Sequence, residues 1–172
     1  LHTLAMCNGA LFIMLVGLLY RMLGWLSDRF SATVACLTLV LLFGFGQLVG
    51  MGNYNFICPY SHDVTYGIVL CVVSLCCLSR YYQKRRSLLA IAGMGFAIGS
   101  AFLTDPQVFL AGWLATVVGL ALTVLAERAT RRRTLALLAT FGAASILPSL
   151  IAFVLLWRVM PPAIAVEGLL SP

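Results

Sequence analysis

Acidic residues are the scarcest feature of this chain: it has five Asp and Glu in 172 residues, and charged residues of both signs make up only 9%. A soluble domain carries roughly a quarter charged residues. Spread over a water-facing surface, so few charges would leave apolar patches of a size that soluble proteins do not expose. A soluble globular domain is excluded, and 62% hydrophobic residues with a mean hydropathy of +1.05 say the same. There is no Cys-x-x-Cys pair, no phosphate-cradling glycine loop ending in Lys-Ser/Thr, no His-Glu-x-x-His and no Gly-x-Ser-x-Gly elbow. The absence of these motifs removes the common zinc, P-loop and serine-hydrolase chemistries. No basic n-region precedes the first apolar segment and no small-residue cleavage site follows it. Leu1 and the closing Ser171-Pro172 therefore read as cuts in a longer protein.

The charges that are present are ordered. Of the eleven Lys and Arg residues, all but Arg158 lie in three short patches. These are Arg21 with Arg29; Arg80, Lys84, Arg85 and Arg86; and Arg128, Arg131, Arg132 and Arg133. Each patch separates long apolar runs, as expected where a chain leaves the hydrocarbon of a bilayer. A net charge of +6 spread in this way matches positive-inside flanks and not a basic domain, so no nucleic-acid partner is expected.

The gaps between charges predict about six spans, of which the second and sixth reach the roughly 20 residues that cross a hydrocarbon core. They run over residues 4–20, 32–51, 65–78, 88–103, 108–125 and 135–157, with the third and fourth short. An even number of crossings separates successive basic patches, so all three share the cytoplasmic side. Residues 52–64, 104–107 and 158 onward then share the outer side, as do both chain ends. Trp25, Tyr81 and Tyr82 mark the inner interface, and Tyr54, Tyr60 and Trp157 the outer one. The expected fold class is all-α, a polytopic transmembrane helix bundle forming a single domain over 1–172, incomplete at its N-terminus and also at its C-terminus. Gly46 with Gly50 and Gly95 with Gly99 are spaced to let neighbouring helices approach. Cysteines 7, 36, 58, 71, 76 and 77 read as small apolar side chains, with Cys7 and Cys58 the one pair placed for a disulfide.

Two outer segments could carry chemistry. Between Asn53 and Asp63 the chain combines Asn55, Tyr60, Ser61, His62 and Asp63, donors, acceptors and aromatic faces suited to a sugar or a lipid head group. The His62-Asp63 pair could act as a base or orient a phosphate; a solvated loop with interfacial tyrosines is the alternative. The second segment is Thr104-Asp105-Pro106-Gln107. Asp105 before Pro106 fits a helix N-cap, which leaves room for Thr104, Asp105 and Gln107 to contact substrate as well. No intramembrane row of acids or arginines marks an ion path, and Gln47 reads as a bond between helices.

Three pieces of the chain resemble the GT-C superfamily of integral-membrane glycosyltransferases, in particular the family 39 protein mannosyltransferases and the bacterial lipid-A aminoarabinose transferases. Tyr20-Arg21 through Ser27-Asp28-Arg29 resembles their basic turn between early spans. Asn53-Tyr54-Asn55 to Pro59-Tyr60-Ser61-His62 is similar to an outer segment of bacterial members. Gly99-Ser100-Ala101-Phe102-Leu103-Thr104-Asp105-Pro106-Gln107-Val108-Phe109 resembles the turn G-x-A-F-L-T-K-P-E-x-F. The resemblance implies transfer of a sugar from a polyprenyl-phosphate carrier to an acceptor at the outer face of a bacterial inner membrane. A divalent cation is a conceivable cofactor, since Asp105 stands where the family has a phosphate-facing Lys, and Gln107 where it has Glu. The family's catalytic acids fall in a first outer loop, which would lie upstream of Leu1. A non-catalytic transporter or polymer-export subunit is the alternative function.

Overall fold

A computed structural model describes residues 2–44, 56, 62–83 and 87–170. The described chain is helical, and no strand occurs among these residues. It divides into two compact units, Leu1–Thr65 and Tyr66–Pro172.

In the first unit α1 (His2–Leu26) and α2 (Arg29–Leu39) form a hairpin. The apolar run of α1 contains no proline, so nothing stops the helix at Arg21. It continues to Leu26, six residues beyond the span end expected at Tyr20. A long basic side chain can lay its stem along the helix and keep its charge in water. Asp28 then caps α2: its Oδ1 accepts from the Ser31 N–H at 2.9 Å, and its Oδ2 accepts from the Ser31 hydroxyl at 2.7 Å. The Ser31 amide, with the hydroxyl second, holds the Asp28 carboxyl below its ordinary range. Further along, Cys36 Sγ approaches the Val16 carbonyl at 3.7 Å. α2 widens into a π-turn over Val40–Gly44. The widening brings Gly44 against the Phe12 ring, where a Cβ would sit only 2.7 Å from a ring carbon. Phe56 stacks on Phe12 with ring centres 5.2 Å apart, and its N–H donates to the Phe43 carbonyl at 3.1 Å.

α3 (His62–Gln83) begins in the first unit and continues into the second. It has 22 residues, so the short third span expected over 65–78 is corrected: Asp63 favours the positive start of the helix and Arg80 its negative end, extending it both ways. α4 (Leu88–Phe102), α5 (Pro106–Ala126), α6 (Arg131–Trp157) and α7 (Pro162–Leu170) follow. The core of this unit is Tyr81, Ile91, Met94, Leu120, Leu137 and Phe141. α4 is only 15 residues long, but seven of them are buried. Gly95 and Gly99 face the backbone of α6: a Cβ on Gly95 would meet the Phe141 carbonyl at 2.5 Å, and one on Gly99 would overlap the Ser145 carbonyl. The expected close approach at this pair is an intrachain helix packing. Gly46, Gly50, Gln47 and Cys58 lie outside the described residues.

Among the described residues, four helices are long and apolar enough to cross a membrane: Met6–Leu26, His62–Gln83, Pro106–Ala126 and Arg131–Trp157. Arg29–Gly44 and Leu88–Phe102 are apolar but shorter. On α5, Leu110, Leu114, Val118, Leu122 and Leu125 are exposed on one stripe, while Thr116, Leu120 and Thr123 are buried on the other. Apolar side chains turned outward and hydroxyls turned inward suit a lipid solvent and not water.

α5 and α6 are joined by a tight turn in which Arg128 adopts a left-handed backbone, with φ at 45°. Thr130 caps α6 through the Arg133 N–H at 3.4 Å. α7, which the sequence reading did not anticipate, starts at Pro162 and buries Ala165.

Candidate functional site

The candidate residues fall in two places. His62 and Asp63 occupy the first turn of α3, not the loop over 52–64 in which they were expected. A helix N-terminus leaves its first N–H groups unpaired, and polar residues gather there. Asp63 is exposed, whereas His62 is half-buried. The imidazole is held by α1: Asn8, 1% exposed, places its amide nitrogen 3.3 Å from His62 Nδ1. The two share a hydrogen bond whose donor is set by the imidazole tautomer. Asn8 was not singled out in the sequence, although an amide in the first apolar run was a visible signal. Asn8, Phe12, Phe43, Phe56 and His62 mark one end of the α1–α2 hairpin, and the Ser27-Asp28-Arg29 turn marks the other. Asn55, Tyr60 and Ser61 lie outside the described residues.

Thr104, Asp105 and Gln107 form the turn from α4 into α5, in the second unit. Asp105 Oδ1 accepts from the Gln107 and Val108 N–H groups, both at 2.8 Å, and Pro106 occupies the first helical turn. Asp105 is therefore the helix cap that its place before Pro106 suggests. Thr104 Oγ1 donates to the Ala101 carbonyl at 2.8 Å. The turn rests on α3 at Gly67, whose position would place a Cβ 3.0 Å from Thr104 Oγ1 and 3.1 Å from Val108. Gln107 is exposed, so its amide is presented to solvent.

A divalent cation at this turn does not fit the residues present. Such ions take six or more oxygen ligands or keep several waters around one or two carboxylates. Asp105 is the only acid here, and one of its oxygens is already engaged by two amides. Among the described residues, no three His, Cys, Asp or Glu side chains come together.

The opposite end of the second unit is also polar. Tyr81, fully buried, donates to Glu127 Oε2 at 3.3 Å and accepts from Arg133 Nη2 at 3.1 Å. Arg133 Nε lies 3.9 Å from the same carboxylate. Tyr82 and Thr123 hydroxyls bond at 2.5 Å. These contacts tie the end of α3 to the α5–α6 turn. Deeper in the unit, Ser74 lies 3.2 Å from Thr116 Oγ1 and donates to the Met94 carbonyl at 3.3 Å. These are paired hydroxyls between helices, and no charged side chain falls in the middle of an apolar run. No family model, curated protein or solved structure matches the chain.

Proposed function

We propose that the chain is a six-crossing membrane domain of a glycosyltransferase that takes a sugar from a polyprenyl-phosphate carrier at the outer face. In this reading both chain ends lie outside, and the membrane is a bacterial inner membrane. The observation that carries it is where polarity sits. His62 is positioned by buried Asn8 at a helix start, and Gln107 is presented beside the Asp105 cap. A protein that moves solute through the bilayer would place charged or broken segments at mid-membrane. Here, among the described residues, the polar contact deep in the second unit is a pair of hydroxyls, Ser74 and Thr116, satisfied by each other and by carbonyls. The residue likeness of 99–109 to the family's turn adds the substrate class.

Each residue has a role in that reading. His62 donates a hydrogen bond from its ring to a phosphate oxygen, and the leaving carrier phosphate gains negative charge as the bond to the sugar breaks. The Gln107 amide donates to a sugar hydroxyl or a phosphate oxygen. In this reading Asn55, Tyr60, Ser61 and Asp63 belong by sequence with His62, and Thr104 belongs with Gln107, while Asp105 fixes the start of α5. The carrier's isoprenoid tail lies against the exposed leucines of the helices. No general base is assigned among these residues.

The test is binding of a polyprenyl-phosphate sugar to the purified protein in nanodiscs. His62→Ala should weaken binding about tenfold, the size of one charge-assisted hydrogen bond. Polyprenol without phosphate should not compete. If His62→Ala binds as tightly as the wild type at equal membrane abundance, His62 has no place in a carrier site.

A further inference from the structure

A second polar site lies at the basic end of the second unit, away from the outer turns. Between the last turns of α3 and the first turn of α4 is a recess of about 320 Å³ lined by Cys77, Arg80, Ser87, Leu89 and Ala90. Its chemistry is divided. Arg80 supplies a permanent positive charge, and among the described residues no acid pairs with it; Glu127 is engaged by Tyr81 and Arg133. Ser87 stands at the cap position of α4, yet its hydroxyl makes no capping bond. Ala90 N–H turns back to the Ser87 carbonyl at 3.1 Å, so the amides of Leu88 and Leu89 lack partners within the helix. The remaining wall is apolar, and Leu89 is 81% exposed beside it.

We propose that this recess binds the phosphate of an anionic phospholipid of the surrounding bilayer. Arg80 pairs with the phosphate, the Ser87 hydroxyl and the first α4 amides donate to its oxygens, and the glycerol and upper acyl chain lie on Leu89 and Ala90. A cation and unused donors at one edge, with an apolar wall running into the membrane, match a diester phosphate that carries hydrocarbon. They do not match a soluble anion, which has no use for the wall. Basic pockets between transmembrane helices bind anionic head groups for this reason. The recess also gives a purpose to an exposed leucine and an uncapped serine at one helix start. The site needs only that α3 and α4 lie in a bilayer. The topology proposed above adds the leaflet, which is the cytoplasmic one, where anionic lipids attract basic segments.

Native mass spectrometry of the protein released from nanodiscs tests this, with phosphatidylglycerol and phosphatidylcholine present in equal amounts. The wild type should retain phosphatidylglycerol preferentially. Arg80→Gln should reduce that preference about tenfold, Arg80→Lys should keep most of it, and Ser87→Ala should lower it about threefold, all with the helical circular-dichroism signal of the wild type. Inorganic phosphate at millimolar concentration should not displace the lipid; displacement would mean a site for a free anion and would overturn the proposal. So would a wild type without preference, or an Arg80→Gln protein that retains phosphatidylglycerol like the wild type. None of these readouts depends on sugar transfer, so this site can fail without the carrier site failing.

Discussion

Asp105 shows how one side chain can serve the backbone before it serves a ligand. Its carboxylate accepts from two amides at the start of α5, where four N–H groups would otherwise lack partners. Asparagine caps as well as aspartate, and alanine does not. Asp105→Ala should lower stability in detergent by about 1 kcal/mol, read as a drop in melting temperature, while Asp105→Asn should melt like the wild type. If both variants keep the wild-type melting temperature, the cap contributes nothing measurable. The cap could be read from the dipeptide Asp105-Pro106 alone. The partner of His62 could not, because Asn8 is 54 residues away and no local rule joins an amide in one apolar run to a ring at the start of another.

At the scale of the helix, the contact of α4 with α6 depends on the absence of side chains. Gly99 sits against the Ser145 carbonyl and Gly95 against that of Phe141, so the helices meet backbone to backbone. Gly99→Ala forces them apart and should cost about 1–3 kcal/mol, as overpacking does. Gly142→Ala is the contrasting variant: it lies in α6 with nothing within 4 Å of its Cβ, and alanine should leave stability equal or raise it by up to about 1 kcal/mol. Thermal melts of the two proteins in one detergent decide the matter, and equal shifts would remove the packing argument. The glycine spacing was legible because four residues bring side chains to one helix face. The start of α3 was not: Pro59-Tyr60-Ser61-His62-Asp63 reads as loop by polarity, and only Asp63 in a first turn signals a helix. α7 was missed for a similar reason, since Pro161-Pro162 reads as a stop although a proline also suits the first helical turn.

Over the whole chain, the arrangement of basic patches is the feature most legible from residues alone, because its period can be read without any contact between distant residues. It also overrides local preference. Arg131, Arg132 and Arg133 lie in the first turn of α6, where the helix dipole favours acids. Six crossings with the patches inside give a direct expectation. In a cysteine-free background, His62→Cys should react with a membrane-impermeant maleimide from outside intact cells, and Lys84→Cys only after permeabilisation. Labelling of both from the same side would end the topology. Contacts between distant ends were not legible: Tyr81 in α3, Glu127 in the α5–α6 turn and Arg133 in α6 are separated by up to 52 residues, and only packing brings them together.

The left-handed geometry of Arg128 points the same way. Glycine would adopt that bend freely, and an arginine there is strained by roughly 1 kcal/mol. Arg128→Gly should therefore yield a sturdier molecule, and in the topology proposed above, where this corner is held on the inner side by its charges, one that inserts less faithfully.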